Sequence, residues 1–337
     1  MTWGWAVVPG MALAFGQAPP RDLIGEYLGF ARMGDAVRVR QYLEQGIHVD
    51  VTGPQAVPSL VFAAGGGHIE TVQVILQFNP SQPARAQALV AASSRGFVDV
   101  VKALVESGMS DAAAGPALAA ACAYNHLDIV QLLLRAGADP NLVVQAAPLL
   151  HIASQYNNTE MLEALLNAGA DVRRTDSQGR SALSAAVGYG NLDAVQLLIG
   201  FGAAVNEADA SGVTVIHTAT ALGRSEILRL LLVSGADANG RDKQGQTPLM
   251  AAARQGRIQA IRLLVAFGAR PDERDAVGRT ALMDAVDQGR TELVRTLLES
   301  NSNPSLRDPN GVSILTMARR RRSPEVLTLL ERYGAQP

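Results

Sequence analysis

The sequence contains few of the residues that build catalytic, metal or disulfide sites. Its single cysteine, Cys122, excludes a disulfide within the chain. No pair of cysteine or histidine residues has the spacing of a zinc site, and no glycine-rich phosphate loop follows a strand. Aspartate and glutamate recur mainly as turn residues, so no catalytic carboxylate pair stands out. The sequence therefore predicts a protein that is not an enzyme and that binds neither a metal nor a cofactor.

Charge of one sign and long apolar runs are also scarce. The net charge of -2 at pH 7 gives no indication of a nucleic-acid or membrane partner. The apolar stretch from Met1 to Ala18 contains Pro9 and Gly10 and is too short and too broken to span a membrane. It predicts either a secretory signal peptide, cleaved near Gly16, or a disordered tail. The location therefore stays open between the cytoplasm and export, for example to the periplasm.

The 33 residues from Asp242 to Arg274 predict a turn followed by two short helices. Thr247 carries the hydroxyl of a helix N-cap, and Pro248 follows at the first helical position, where a missing N–H is harmless. Gly256 ends the first helix and Gly268 the second, because a left-handed residue is least strained as glycine. An apolar stripe at helical spacing indicates the second helix. Its members are Ile258, Ile261, Leu264 and Val265.

Copies of this unit recur along most of the chain. The alanine at Ala252 recurs in steps of 33 residues at Ala153, Ala186, Ala219, Ala285 and Ala318. The turn residues recur with it, as Asp176 and Gly179, Asp209 and Gly212, Asp275 and Gly278, and Asp308 and Gly311. One helix pair cannot bury its apolar face alone, so the copies must stack. The low aromatic content of 4% suits thin, alanine-rich helices that approach closely.

The period and the start of each unit resemble the ankyrin repeat. Thr247-Pro248-Leu249 matches the opening of its core motif, and His151 and His217 stand at the histidine position that Met250 takes in this unit. The resemblance covers all but roughly the first twenty residues. It implies an all-α fold, an ankyrin-repeat solenoid of about ten helix-turn-helix units with β-turn or hairpin connections.

The period divides the chain into a leader over residues 1–21 and an array over residues 22–337. The array is expected to contain a capping unit over 22–52, units over 53–83, 84–110, 111–142, 143–175, 176–208, 209–241, 242–274 and 275–307, and a C-terminal cap over 308–337. From Ala63 the reference alanine recurs at Ala92 and Ala121 in steps of 29 residues. The connections around 79–83 and 109–115 are therefore predicted to lack full projecting hairpins.

The histidines and the cysteine are assigned structural roles. His151 and His217 take the repeated core position, whereas His68 and His126 follow the turn after a first helix. Cys122 lies at a small, inward position of its unit, where a buried apolar side chain is expected in place of a reactive thiol.

The resemblance implies that the two positions before the first-helix glycine face a concave groove and contact the partner. The second of these positions carries Tyr124, Tyr156 and Tyr189 in consecutive units. Aligned tyrosines are typical of a binding hot spot, although they could instead pack on one another to cover the groove. The predicted groove residues are Tyr124, Tyr156, Tyr189, Leu222, Arg254, Gln255, Gln288, Arg320 and Arg321. Turn-tip residues are also predicted to contact the partner, namely Ser177, Gln178, Arg180, Lys243, Gln244 and Gln246.

Charge divides along the array. From Arg241 to the C-terminus there are 16 basic and 11 acidic residues, whereas the remainder has 13 and 20. An elongated partner with acidic residues opposite the basic end would fit this division. The run from Arg319 to Arg322 predicts a solvated capping face, with a nuclear import signal or a phosphate-binding patch as alternatives.

Together these patterns predict a monomeric, non-enzymatic scaffold that binds another protein in its groove. They predict no nucleic-acid partner and no integral membrane span. Two alternatives stay open, because a fold does not determine a function. The chain could be a regulatory or inhibitory subunit of a specific enzyme, or an enzyme whose site cannot be recognised from sequence.

Overall fold

The computed structural model describes residues 21–108, 111–144, 146–156 and 158–336. The predicted leader, apart from Arg21, lies outside the described residues. The described residues divide into two compact units, the first within 21–142 together with 167–169 and the second within 143–166 together with 170–336. Each unit is a stack of helix pairs, so the all-α repeat fold that the sequence predicts is confirmed.

The helices of the first unit form two layers. They are α1 (Arg21–Met33), α2 (Ala36–Glu44), α3 (Ser59–Gly65), α4 (Ile69–Leu76), α5 (Gln82–Arg95), α6 (Val98–Glu106), α7 (Asp111–Ala123) and α8 (Leu127–Arg135). Helices α1, α3, α5 and α7 pack one against the next in an inner layer, and α2, α4, α6 and α8 form an outer layer. Leu60 of the inner layer and Val101 of the outer layer are fully buried, so the core lies along both layers.

Two inner helices of the first unit are long at the places where the repeat period is shortened to 29 residues. Helix α5 has 14 residues and α7 has 13, against 7 in α3. Helix α5 begins at Gln82, only six residues after α4 ends at Leu76, and the hydroxyl of Ser81 accepts the N–H of Ala84 as its N-cap. The chain of this shortened connection therefore enters the next helix directly. Met109 and Ser110 of the other connection lie outside the described residues.

The second unit repeats the two-layer arrangement. Its elements are β1 (Val143–Val144), β2 (Ala147–Pro148), α9 (Leu149–Ala153), α10 (Thr159–Asn167), α11 (Ala182–Tyr189), α12 (Leu192–Gly200), α13 (Val215–Leu222), α14 (Ser225–Val233), α15 (Pro248–Gln255), α16 (Ile258–Ala266), α17 (Ala281–Asp287), α18 (Thr291–Glu299), α19 (Ile314–Arg320) and α20 (Pro324–Arg332). Strands β1 and β2 form an antiparallel hairpin. The odd-numbered helices pack consecutively in an inner layer, and α12, α14, α16, α18 and α20 form the outer layer.

The turns that precede α11, α13, α15, α17 and α19 share one geometry, and we call them the fingers (residues 175–181, 208–214, 241–247, 274–280 and 307–313). In the second finger, Asp209 donates its N–H to the carbonyl of Val213 at 2.9 Å. Its Oδ1 accepts the N–H groups of Ser211 and Val213 at 2.7 and 3.0 Å. Gly212 has φ +80°, which explains why a glycine follows each turn aspartate by three residues.

Main-chain hydrogen bonds also join neighbouring fingers. The N–H of Ala210 donates to the carbonyl of Gln178 at 2.8 Å, and the N–H of Lys243 donates to the carbonyl of Ser211 at 3.0 Å. A third bond of the same kind, at 2.8 Å, runs from the N–H of Ala276 to the carbonyl of Gln244. The tips of the first four fingers are thus connected by a continuous ladder.

The unit over residues 242–274 has the predicted helix caps. Helix α15 begins at Pro248, and the hydroxyl of Thr247 accepts the N–H of Met250 at 3.4 Å. Gly256 ends the helix with φ +67°. The predicted stripe of α16 needs a correction. Its buried residues are Ala260, Ile261 and Leu264, whereas Ile258 and Val265 are only half-buried, because the buried face is centred between Ile261 and Leu264.

The C-terminal pair keeps the repeat geometry without the usual glycine. Arg322 takes the left-handed conformation, with φ +54°, at the position where α15 is followed by Gly256. Ser323 precedes α20 at the N-cap, and Pro324 is its first residue, but the Ser323 side chain makes no capping hydrogen bond. Among the residues that the structure describes, no helix has the length and apolar character that crossing a membrane requires.

Replacing either of two glycines at the end of α11 by alanine is expected to change the free energy of unfolding, but in opposite directions. An added Cβ at Gly188 would meet no atom within 4 Å. Gly188→Ala should raise the free energy of unfolding by about 0.5–1 kcal/mol, because glycine loses more backbone entropy in a helix. Gly190 has φ +82°, and its Cβ would lie 2.7 Å from the guanidinium carbon of Arg224. Gly190→Ala should lower the free energy of unfolding by about 1–2 kcal/mol. Urea unfolding of both variants checks the signs, and equal responses would contradict the prediction.

Candidate partner-binding surface

His217 is a core residue with hydrogen bonds at both ring nitrogens. Its Nδ1 accepts the N–H of Thr214 at 3.3 Å and lies 2.8 Å from the Thr214 hydroxyl, and its Nε2 lies 3.1 Å from the carbonyl of Gln246. Burial lowers the pKa of His217, because the charged ring would be poorly solvated. The residue joins the N-cap of α13 to the next finger, which agrees with its predicted core role.

His151 takes the equivalent place in α9 but lacks one of these partners. Pro148 stands at the N-cap position that Thr214 takes in α13, and proline has neither an N–H nor a hydroxyl to offer. The ring is buried, and its Nδ1 has no hydrogen-bond partner within the described residues. Burial lowers the pKa of His151, so the ring is neutral near pH 7.

Cys122 has the inert environment predicted for it. The side chain is fully buried, and burial raises the pKa of its thiol to about 12. The thiolate is therefore almost absent at neutral pH. Within the part of the chain that the structure describes, no three His, Cys, Asp or Glu side chains are placed to hold a metal ion.

The tyrosine positions differ in exposure and in location. In the second unit, the C-terminal ends of the inner helices form a surface that we call the groove face, made up of Gln155, Tyr156, Gly188, Tyr189, Leu222, Gln255 and Gln288. Tyr189 is 58% exposed and Leu222 is 45% exposed, and Gln255 and Gln288 are also exposed. Tyr156 is half-buried. Tyr124 is 63% exposed but lies in the first unit.

The predicted groove residue Arg254 is held in an ion cluster. Its Nη2 lies 3.1 Å from Asp275 Oδ2, and its Nε lies 2.7 Å from Asp284 Oδ2. The second Asp284 oxygen contacts Arg279, which also binds Asp287. The side chain of Asp284 is only 10% exposed. Arg254 therefore has its charge compensated within the protein, unlike a side chain that is free for a partner.

The two predicted arginines of the last unit are solvent-exposed. Arg320 is the last residue of α19 and forms no ion pair within the described residues. Arg321 lies 3.7 Å from Asp287 at an exposed site, where an ion pair is weak.

The predicted turn-tip residues fall into two groups. Ser177, Gln178, Lys243 and Gln244 are exposed at the tips of the fingers. Arg180 is also exposed but is held in an ion pair, and the half-buried Gln246 contributes its main-chain carbonyl to the internal structure. Arg180 binds Asp176 with an Nη2–Oδ2 distance of 2.8 Å, and the carbonyl of Gln246 contacts His217.

A recess of about 290 Å³ lies on the groove face of the second unit. It is bounded by helices α9, α11 and α13 and by the first two fingers. Its lining residues are His151, Gln155, Arg180, Ser184, Ala185, Gly188, Tyr189, Asp209, Val213 and Thr218. Tyr189 and Arg180 are the only predicted site residues among them. The recess is present because Gly188 carries no side chain at a position where Gln155, one unit earlier, does.

Sequence reasoning missed this recess, although one signal of it was present. Gly188 is the first of the two pre-glycine positions of its unit, where α15 has Arg254 and α17 has Asp287. The family resemblance implies that this position faces the partner, so a glycine there leaves a gap in the partner-binding surface. Asp209 could not be singled out, because every finger has an aspartate as its second residue.

A family model described as ankyrin repeats matches the chain in three copies, over residues 39–143, 150–242 and 223–308. Together these ranges cover well over half of the chain. A search of the curated proteins finds no match.

Proposed function

This chain belongs to the ankyrin repeat family, and we propose that it is a non-enzymatic, monomeric scaffold that binds another protein on the groove face. Ankyrin repeats are generally protein–protein interaction modules, and the family is typically non-catalytic. The observation that carries the proposal is the exposure of Tyr189 and Leu222 beside an open recess. Exposed apolar and aromatic side chains around a recess are typical of the centre of a protein interface.

The proposal does not require the predicted groove residue Arg254. Arg254 is occupied by Asp275 and Asp284, so its contribution is to hold the face rigid. A rigid, pre-formed face supports affinity, because little conformational entropy is lost on binding. Tyr189 and Leu222 supply the apolar contact, and Gln255 and Gln288 supply polar contacts farther along the same face.

Affinity capture with mass spectrometry from the source organism tests this function. The bait is the full chain, compared with the double variant Tyr189→Ala and Leu222→Ala. We expect the double variant to lose at least about 90% of a specifically captured partner, because it removes the centre of the interface. Its thermal unfolding midpoint should change little, since both side chains are exposed.

A matched control comes from Val233 and Phe267, which are exposed at the ends of α14 and α16, outside the groove face. Val233→Ala with Phe267→Ala removes a similar apolar surface and should leave capture intact. Equal loss in both double variants would reject the groove face as the binding surface. A large fall in the midpoint for Tyr189→Ala would instead assign that ring to packing.

A further inference from the structure

The recess on the groove face is open to a ligand at the position of Gly188. A Cβ built on this residue meets nothing within 4 Å, so the space above the helix is free. The exposed residue Tyr189 lines it, together with the polar residues Ser184, Thr218 and Gln155. The recess is thus large enough for one long side chain and is rich in groups that accept hydrogen bonds.

Two charged side chains line the recess, Arg180 and Asp209, and the Arg180 charge is already paired with Asp176, which lies outside the lining. Arg180 is neutralised by Asp176, whose Oδ2 lies 2.8 Å from Nη2 and 2.9 Å from Nε. Asp209 has no such partner. Its Oδ1 accepts two main-chain N–H groups of its own finger, whereas its Oδ2 has no hydrogen bond or ion pair within the described residues. One carboxylate oxygen is therefore available beside the recess.

His151 also lines the recess but offers it no accessible acceptor. Its Nδ1 has no hydrogen-bond partner within the described residues, but this atom is shielded from solvent, so a ligand in the recess does not contact it. The recess thus combines an available carboxylate with an aromatic ring.

We propose that this recess receives an arginine or lysine side chain of the partner protein. The cationic group pairs with Asp209 Oδ2 and donates to the neighbouring acceptors, while its methylene stem lies against the Tyr189 ring. This inference rests on the proposed function, because it names the chemistry that the partner presents to the groove face. An acidic side chain is disfavoured at this place by the Asp209 carboxylate.

A library of random dodecapeptides, displayed on phage and selected on the immobilised full chain, tests the proposal. We expect the selected peptides to share an arginine or lysine at one position. Replacing that residue by glutamine in a synthetic peptide should weaken binding about tenfold or more. Asp209→Asn should weaken binding of the original peptide to a similar degree and have little effect on the glutamine peptide, since both changes remove the same ion pair.

Asp242→Asn is the matched control. Asp242 is the turn aspartate of the next finger and accepts the N–H groups of Gln244 and Gln246 at 2.9 and 2.8 Å, as Asp209 accepts those of its own finger, but it does not line the recess. It should leave peptide affinity unchanged. Equal losses for Asp209→Asn and Asp242→Asn would assign Asp209 to finger structure and overturn the proposal.

Gly188→Leu fills the recess without distorting the backbone and should abolish binding of the basic peptides. Selected peptides that are lost with Gly188→Leu but carry no basic residue would overturn the basic-side-chain proposal while keeping the groove face as a binding surface. Basic peptides whose binding is unaffected by both Asp209→Asn and Gly188→Leu would also overturn it. A selection that yields no binder counts against the recess, and affinity capture then decides the proposed function separately.

Discussion

Replacing Asp284 by alanine is expected to lower the free energy of unfolding by about 2–4 kcal/mol. The Asp284 carboxylate joins Arg254 to Arg279, with N–O distances of 2.7 and 2.9 Å. Its removal leaves two arginines without this partner at sites where their side chains are only 37% and 26% exposed. Arg254 keeps Asp275 and Arg279 keeps Asp287, but the two partly buried arginines then share less negative charge, and breaking a buried ion cluster is strongly destabilising. Urea unfolding followed by circular dichroism gives the difference.

Glu292→Ala is the control for Asp284→Ala. Glu292 pairs with Arg295 at 3.3 Å, but both side chains are well exposed. We expect this change to cost about 0.5 kcal/mol or less. Asp284→Asn keeps one acceptor oxygen, so its loss in free energy of unfolding should lie between those of Asp284→Ala and Glu292→Ala. If Asp284→Ala is no more destabilising than Glu292→Ala, the cluster does not stabilise the second unit.

Replacing His217 by alanine is expected to lower the free energy of unfolding by about 2–4 kcal/mol at pH 7. The change leaves a cavity between α13 and the third finger and removes the hydrogen bonds to Thr214 and Gln246. His217→Met is the conservative control, because Met250 is buried at the equivalent position of α15. We expect a smaller loss for His217→Met, since the methionine side chain fills most of the cavity.

The pH dependence of stability separates the titration of the buried His217 ring from the volume that it fills. Burial lowers the pKa of His217 below its ordinary value of 6.5. Above pH 6.5 the ring is neutral in the folded and unfolded chains, so its contribution is fully present. As the pH falls below 6.5, the unfolded chain binds a proton that the folded chain does not, and stability is lost. The wild type should lose more stability between pH 7 and pH 5 than His217→Met does. Equal pH slopes would show that His217 does not titrate in this way.

The repeat architecture could be predicted because its signals are local. Thr247, Pro248 and Gly256 act on the backbone within one helix, so their effects do not depend on distant residues. The turn aspartates and glycines likewise act within one finger. For the same reason the error in α16 is small, since apolar spacing fixes a helical face only to within part of a turn.

The candidate site could be predicted only in outline, because its properties arise between units. Arg254 was predicted to contact a partner, but Asp284, thirty residues later in sequence, is close enough to bind it. Tyr156 and Tyr189 hold the same repeat position, yet only Tyr189 is well exposed. The Nδ1 of His151 lacks a partner because Pro148 stands at its N-cap position. This effect is recognised only by comparison with Thr214, which is hydrogen-bonded to His217. Such differences depend on side-chain geometry that a periodic pattern does not contain.

The ladder of main-chain hydrogen bonds between the fingers ends at a proline. Ala210, Lys243 and Ala276 each directly follow a turn aspartate and donate an N–H to the preceding finger, and Pro309 follows Asp308 at the corresponding place. Proline has no N–H, and its Cγ instead lies where a side chain on Gly278 would point, 2.7 Å from that added Cβ. The first four fingers are thus joined in a row, each to the next by one main-chain hydrogen bond. Among the described residues the last finger makes no main-chain bond of this kind to the fourth finger; a side chain joins them instead, because Arg274 Nη2 donates to the carbonyl of Arg307 at 3.0 Å.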